Sequence, residues 1–265
     1  MHEPLMLRRL AIIPTLKCTL KCKLCSNYVT MFNNPKHVPV HEIISDIDRI
    51  FEIVDYTEWL QFVGGEIFMR NDLWEVYEHC LRYKEKFDKL IIITNATLLP
   101  CKKDIVLYKK YGENLQIQIS NYAKYSYKKD DLVELFIKEN IPYVIKKYHG
   151  DIQHYGGWVD NTDFSDRGRS DAELQKQFES CGQYGMKNFH LYRGKFHGCA
   201  RSLMASELGK IKPAKRDFID LNDDETTIAE KRETIRNFNN TPRVSCRSCV
   251  SFGDDTIRFK AAEQI

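Results

Sequence analysis

The sequence predicts an α/β fold, a parallel sheet of five or six strands wrapped by helices. Short strand-like apolar runs alternate along the chain with amphipathic helical stretches. The 265 residues, 43% of them hydrophobic, suffice for a substantial core and fit one catalytic domain plus a small appendage. The first strand is the run Leu10–Pro14. Ile43, Ile44, Ile47, Ile50, Phe51 and Val54 then recur at helical spacing, with Asp46, Asp48, Arg49 and Glu52 on the polar side, which predicts the first crossover helix. Strands at Leu60–Val63, Leu90–Thr94, Leu115–Ser120 and Tyr143–Lys147 alternate with helices at Leu73–Tyr83, Lys102–Lys110 and Asp130–Glu139.

A sixth strand is not legible. His149 to Ser170 is rich in Gly, Asp and Asn without alternation, and reads either as an active-site loop or as a solvated linker. His154, Tyr155, Trp158, Asp160, Asp163, Arg167 and Arg169 would give such a loop a lining suited to hydroxylated or acidic ligands. Beyond it, Phe189–Tyr192 turns at Arg193-Gly194 into Lys195–His197, a predicted hairpin.

The chemistry-bearing signal is Cys18, Cys22 and Cys25, spaced C-x3-C-x2-C directly after the first strand. A [4Fe–4S] cube ordinarily takes four thiolates, so three within eight residues leave one iron open to a small molecule. Lys17, Lys21 and Lys23 would offset thiolate charge. Two alternatives stand beside this reading. Structural zinc wants four ligands, and no further Cys or His follows Cys25 before His37; inert core thiols fit poorly in a polar loop.

With Gly64-Gly65-Glu66 closing the second strand, the cysteine loop resembles that of the radical S-adenosylmethionine (SAM) enzymes. The resemblance implies a partial (β/α) barrel whose open iron chelates the amino and carboxylate groups of SAM. Gly64, Gly65 and Glu66 would meet the SAM amino group, the glycines admitting backbone and the carboxylate complementing an ammonium. Leu24 stands where an aromatic residue often packs on adenine, and Ile67 where proline is frequent. Thr94 and Asn95, with Gln118 and Ser120, resemble the strand ends that complete the SAM site. Reductive cleavage of SAM would give methionine and a 5′-deoxyadenosyl radical that abstracts an unactivated hydrogen, with reduced flavodoxin or ferredoxin as electron donor.

Cys181 and Cys199 flank the hairpin, and Cys246 and Cys249 form a C-x2-C pair. They resemble the ligands of an auxiliary [4Fe–4S] cluster in a twitch or SPASM-like module, which places a boundary between a barrel over residues 1–170 and a module over residues 171–265; zinc is the alternative. A fully ligated second cluster suits electron transfer. The chain thus resembles radical SAM dehydrogenases acting on aminocyclitols, in which a hydroxylated carbon of a sugar or cyclitol becomes a ketone. Arg167 or Arg169 would assist deprotonation there. The rival is an epimerase using a spare thiol as hydrogen donor, with Cys101, at a helix start that could lower its pKa, a stronger candidate than Cys80 in a helix core. Peptide modification and a zinc-ribbon binding protein are further alternatives.

A net charge of +3, with basic and acidic residues interspersed, does not indicate nucleic acid. Met1 to Arg9 lacks a signal-peptide core, no run approaches a membrane span, and reduced thiols beside oxygen-sensitive clusters imply a cytoplasmic location.

Overall fold

Five parallel strands follow one another as the apolar runs predict, each ending near the same edge of the sheet. They are β1 (Met6–Thr15), β2 (Tyr56–Gly64), β3 (Phe87–Thr94), β4 (Leu115–Asn121) and β5 (Tyr143–Lys147). The computed structural model describes residues 3–183, 187–253 and 255–265, so Met1 and His2 of the segment read as lacking a signal-peptide core lie outside the described residues.

The sixth parallel strand exists, and it comes from the predicted hairpin. β6 (Asn188–Tyr192) pairs parallel with β1 through Arg9–Asn188 to Ile12–Leu191 and antiparallel with β7 (Lys195–His197). β8 (Phe218–Asp220) then extends the sheet, giving the order β5-β4-β3-β2-β1-β6-β7-β8. One sheet, open at both ends as in a partial barrel, therefore runs across the boundary predicted at residues 170 and 171.

Helices α1 (Val40–Ile53), α2 (Leu73–Cys80), α3 (Lys102–Tyr111) and α4 (Lys129–Glu139) connect the first five strands. After β5 come α5 (Asp171–Glu179), α6 (Ala200–Glu207) and α7 (Ile228–Asn237). In α1, Ile43, Ile47, Ile50 and Phe51 are buried, each contributing about 1.5–3 kcal/mol by leaving water. No helix among the described residues is long and apolar enough to cross a membrane.

Strand pleat separates two chemistries. Leu10, Ile12, Leu60, Phe62, Leu90, Ile92, Ile117 and Ile119 belong to the hydrophobic core, whereas the intervening Arg9, Gln61, Ile91, Gln116 and His190 line a cavity on the other face. Register puts His190, Ala11, Gln61, Ile91 and Gln116 in one row across five strands. Alternation with period two is what turns five apolar strands into one wall for a core and another for a site.

Asp46 corrects the sequence reading. Placed on the polar side of α1, it is buried, and its Oδ2 accepts the Gly194 backbone N–H at 2.9 Å in the β6–β7 turn. Gly194 has φ +75°, which a side chain would strain. Desolvation, with Glu42 and Asp220 adding to it, lifts the Asp46 carboxyl to about 6 against the Gly194 bond and Arg49. Between its unfolded value near 4 and 6 the native state holds more protons, so stability falls as pH rises through that window. Asp46→Asn keeps an acceptor for Gly194 and should raise stability at pH 8 by about 1–3 kcal/mol while changing little at pH 4. Anaerobic thermal unfolding at the two pH values checks this; a variant less stable than wild type at pH 8 contradicts it.

Candidate active site

The cysteine loop leaves the end of β1 and is held between two other backbone segments. Gly65 donates its N–H to Thr15 O at 2.8 Å and Glu66 to Lys17 O at 2.9 Å, while Lys23 donates to Glu263 O at 2.7 Å and Ile265 to Lys21 O at 3.0 Å. The chain's last residues thus clasp the loop, a contact no local pattern could reveal. A Cβ on Gly65 would lie 1.9 Å from Lys17 O, and one on Gly64 2.4 Å from Thr15 O, so both positions need glycine for the close approach of the cysteine loop itself.

Cys18, Cys22 and Cys25 all line the cavity. Burial is the largest effect on each: it lifts the Cys18 thiol to about 11 and the Cys22 thiol to about 12, with the neighbouring thiols adding in the same direction, and it raises Cys25. Asn95 Nδ2 stands 3.5 Å from Cys18 Sγ and Gln264 Nε2 3.4 Å from Cys22 Sγ, donors suited to a thiolate. Lys17, Lys21 and Lys23 are exposed, so solvent screens the charge they offer the thiolates.

Glu66 does not line the cavity. Fully buried, it turns both oxygens to the protein: Oε1 accepts Phe68 N–H at 3.0 Å and the Thr94 hydroxyl at 2.7 Å, and Oε2 accepts Asn95 N–H at 2.7 Å. Desolvation still lifts its carboxyl to about 7 against those three bonds. Its work is to tie the end of β2 to the end of β3. Gly64, Gly65, Thr94, Asn95, Leu24, Gln118 and Ser120, the other residues predicted for the cofactor, do line the cavity.

The same cavity, about 520 Å³, takes in Cys181, Cys199, Cys246 and Cys249. Burial lifts Cys246 to about 12 and Cys249 to about 11; Cys199 and Cys249 add to Cys246, and Cys199 and Cys181 add to Cys249. These four thiols therefore form a second mutually interacting group. Arg201 and Arg243 oppose the shifts at Cys249 and Cys246 respectively. Arg201 is buried and donates to Tyr28 Oη at 3.0 Å, to Asp163 O at 2.7 Å and to the Asn161 carbonyl, locking the long loop onto the cysteines. Arg243 occupies space that only Gly198 leaves open, since a Cβ there would sit 2.4 Å from its NH2.

His154, Tyr155 and Trp158 of the 149–170 segment line the cavity, but Arg167 and Arg169 do not. Arg167 Nε donates to Ser248 O at 3.1 Å and Arg169 NH1 to Cys249 O at 3.0 Å, so both fasten this loop to the C-x2-C turn. Cys101 also lies away from the cavity, at the start of α3, with Sγ 3.8 Å from Asn71 O; burial raises its thiol, where the helix start had suggested a lowered value. Cys80 is fully buried in the core, as its helical neighbours predicted. The cavity residues that the sequence reading missed include Arg9, Trp59, Gln61, Gln116, Lys146, Tyr148 and His190. A polar side chain at every second position of an otherwise apolar parallel strand is the signal that marks them.

All nine cysteines are free thiols. Among the described residues no three Cys, His, Asp or Glu side chains converge as ligands of one ion, the arrangement a mononuclear zinc site requires. A cube asks for something else, one thiolate on each of several irons. Three thiols of one loop and four from the C-terminal half, all lining one cavity, fit that demand.

Residues 12–130 match the family model described as the radical SAM superfamily, whose members take SAM and a [4Fe–4S] cluster. No curated protein matches the chain. Among solved structures it is similar to BtrN in complex with AdoMet and 2-DOIA, at 12% identity over 100% of this chain and 98% of that one, with a TM-score of 0.56. It is similar as well to native anSMEcpe with bound AdoMet, at 13% identity over 98% of this chain and 93% of that one, TM-score 0.56. At such identities the shared property is the fold. Streptococcus suis SuiB bound to S-adenosylmethionine matches 57% of this chain at 21% identity and a TM-score of 0.41, and the chain spans 34% of its length.

Proposed function

We propose that this chain is a radical SAM oxidoreductase that oxidises a hydroxylated carbon of a sugar or cyclitol-like substrate to a ketone. One observation carries the reading: the cysteines lining the cavity are the three of the first group and the four of the second, while Cys80 and Cys101 stand outside. An epimerase needs a thiol beside the substrate to return hydrogen, and among the described residues the cavity offers none beyond the two groups. A cavity of about 520 Å³ is also on the scale of a small-molecule site.

Cys18, Cys22 and Cys25 would hold a [4Fe–4S] cluster with one open iron, and Cys181, Cys199, Cys246 and Cys249 a second, closed cluster. Bound together, the open cluster and SAM supply a 5′-deoxyadenosyl radical and the closed cluster an acceptor for the electron left on the substrate. The chain's own residues position these groups. Leu24 offers an apolar face to adenine, and Gln118 and Ser120 offer hydrogen bonds from the end of β4. His190 lines the cavity, and desolvation lowers it to about 4, with Arg243 adding and a backbone hydrogen bond at Asn188 opposing. It is therefore neutral at pH 7 and a weak base there, suited to a hydrogen bond with the substrate rather than to taking its proton.

Turnover in deuterated water with SAM, dithionite and a panel of sugars and cyclitols tests the reaction. A ketone with no solvent deuterium at the oxidised carbon is expected, and Cys101→Ala should retain more than about half of wild-type turnover, since its thiol lies outside the cavity. Product of inverted configuration carrying deuterium, lost in Cys101→Ala with iron content intact, contradicts the reading.

A further inference from the structure

The segment that follows the second cysteine group pairs twice with other parts of the chain. Phe259 exchanges both backbone hydrogen bonds with Trp158, donating to Trp158 O at 2.7 Å and accepting Trp158 N–H at 2.8 Å. A Cβ on Gly157 would lie 2.6 Å from Phe259 O, so the two backbones are in close contact there. Ala262 then takes a left-handed conformation, φ +55°, with its side chain buried. Beyond that bend, Gln264 pairs antiparallel with Cys22 in the cysteine loop.

The register of this second pairing puts one side chain beside one thiol. Lys23 donates to Glu263 O and Ile265 to Lys21 O, which makes Cys22 and Gln264 a non-hydrogen-bonded pair, the kind in which opposed side chains lie closest. The Gln264 amide is oriented by its partners: Oε1 accepts Lys21 N–H at 2.7 Å, and Nε2 donates to Ala262 O at 2.7 Å. Nε2 is therefore the atom that faces Cys22 Sγ, at 3.4 Å. Cys22 is buried, so this donor acts with little water to screen it.

Resting on the reading that Cys18, Cys22 and Cys25 hold the open cluster, we infer that Gln264 is a positioning residue for it, whose N–H stabilises the Cys22 thiolate and sets how readily the cluster accepts the electron that cleaves SAM. An iron–sulfur cluster gains negative charge on reduction, and hydrogen bonds to its sulfurs favour the more charged state, so a donor raises the reduction potential. Loss of the donor should lower it. Loosening of the loop has the opposite sign, because entering water also stabilises the reduced cluster. The direction of the shift thus separates a donor to sulfur from a prop for the backbone.

Anaerobic redox titration of the reconstituted protein tests this, followed by electron paramagnetic resonance of the cluster whose reduced signal changes on adding SAM. Gln264→Met and Gln264→Leu, which lack the N–H, should each disfavour reduction of that cluster at least about threefold, a fall of about 28 mV or more where tenfold is about 59 mV. The backbones of Glu263 and Ile265 still hold the loop in both variants, so iron should stay at about eight atoms per chain. Ile257→Ala, which trims an exposed side chain earlier in the segment, should leave the potential unchanged. A shift under about threefold in both Gln264 variants, a rise in potential, an equal fall in Ile257→Ala, or loss of the SAM-sensitive signal from both Gln264 variants overturns the inference. Wild-type protein that binds iron and sulfide without any SAM-sensitive signal defeats the open-cluster reading itself, whereas such a signal with an unmoved potential defeats only the role of Gln264.

Discussion

Cys22→Ala is expected to abolish reductive cleavage of SAM and to lower iron from about eight to about four atoms per chain. Of the first three thiols, Cys22 is the buried one, clasped from outside by the last residues: Gln264 Nε2 stands 3.4 Å from its sulfur, and Lys23 and Ile265 join the two backbones. Removing it leaves two thiolates for a cube that already lacks one protein ligand. Among the described residues, the neighbouring Asn95 and Gln264 offer donors to sulfur and Glu66 is engaged with Phe68, Thr94 and Asn95, so none of these replaces the thiolate. Methionine release should fall to the level without enzyme, while the second cluster keeps its absorption and its electron paramagnetic resonance signal on reduction. Methionine release above about a tenth of the wild-type rate would show that this loop does not hold the reacting cluster.

Removing the other group should give a different defect. With Cys246 and Cys249 both replaced by alanine, SAM should still be cleaved but the oxidised product should fall by more than about 100-fold. The two thiols sit on the turn that carries Arg167 and Arg169 through the carbonyls of Ser248 and Cys249, and that Arg201 ties to the loop over the cavity. On the proposed reading, emptying this site would remove the acceptor for the substrate electron and loosen the loop. Counting methionine against ketone separates the two consequences: tight coupling at a lower rate would indicate a loosened loop, whereas many methionines per ketone indicates a missing acceptor. The account predicts the latter. Unchanged coupling and rate in this variant would remove the second group from the reaction.

Much of the fold could be read in advance because the first five strands are apolar on the core face and the helices between them are amphipathic. β6 was legible as one arm of a hairpin, and what escaped was its parallel pairing with β1, the first strand of the chain, since nothing local marks so distant a partner. Asn188 and His190, the polar residues of its pattern, line the cavity. Short spacing marked Cys18, Cys22 and Cys25 and the pair Cys246 and Cys249, the resemblance added Cys181 and Cys199, and all seven line the cavity. Direction of a side chain was harder to foresee. Arg167 and Arg169 sit in a loop without periodicity, where sequence cannot tell a carbonyl partner from a substrate. Glu66 looked like a ligand of an ammonium because nothing local shows that Thr94 and Asn95 come within hydrogen-bonding distance of it. Arg9 and Lys146 are single charges in strands, and nothing local shows that they line the cavity.

The central claim is that two iron–sulfur clusters share one cavity, the first left open for SAM. Anaerobic reconstitution followed by assay of iron, sulfide, zinc and released methionine tests it most directly. The account predicts about eight irons and eight sulfides per chain, and stoichiometric methionine and 5′-deoxyadenosine once SAM and dithionite are added. Zinc without sulfide, and no methionine above the enzyme-free control, would contradict it.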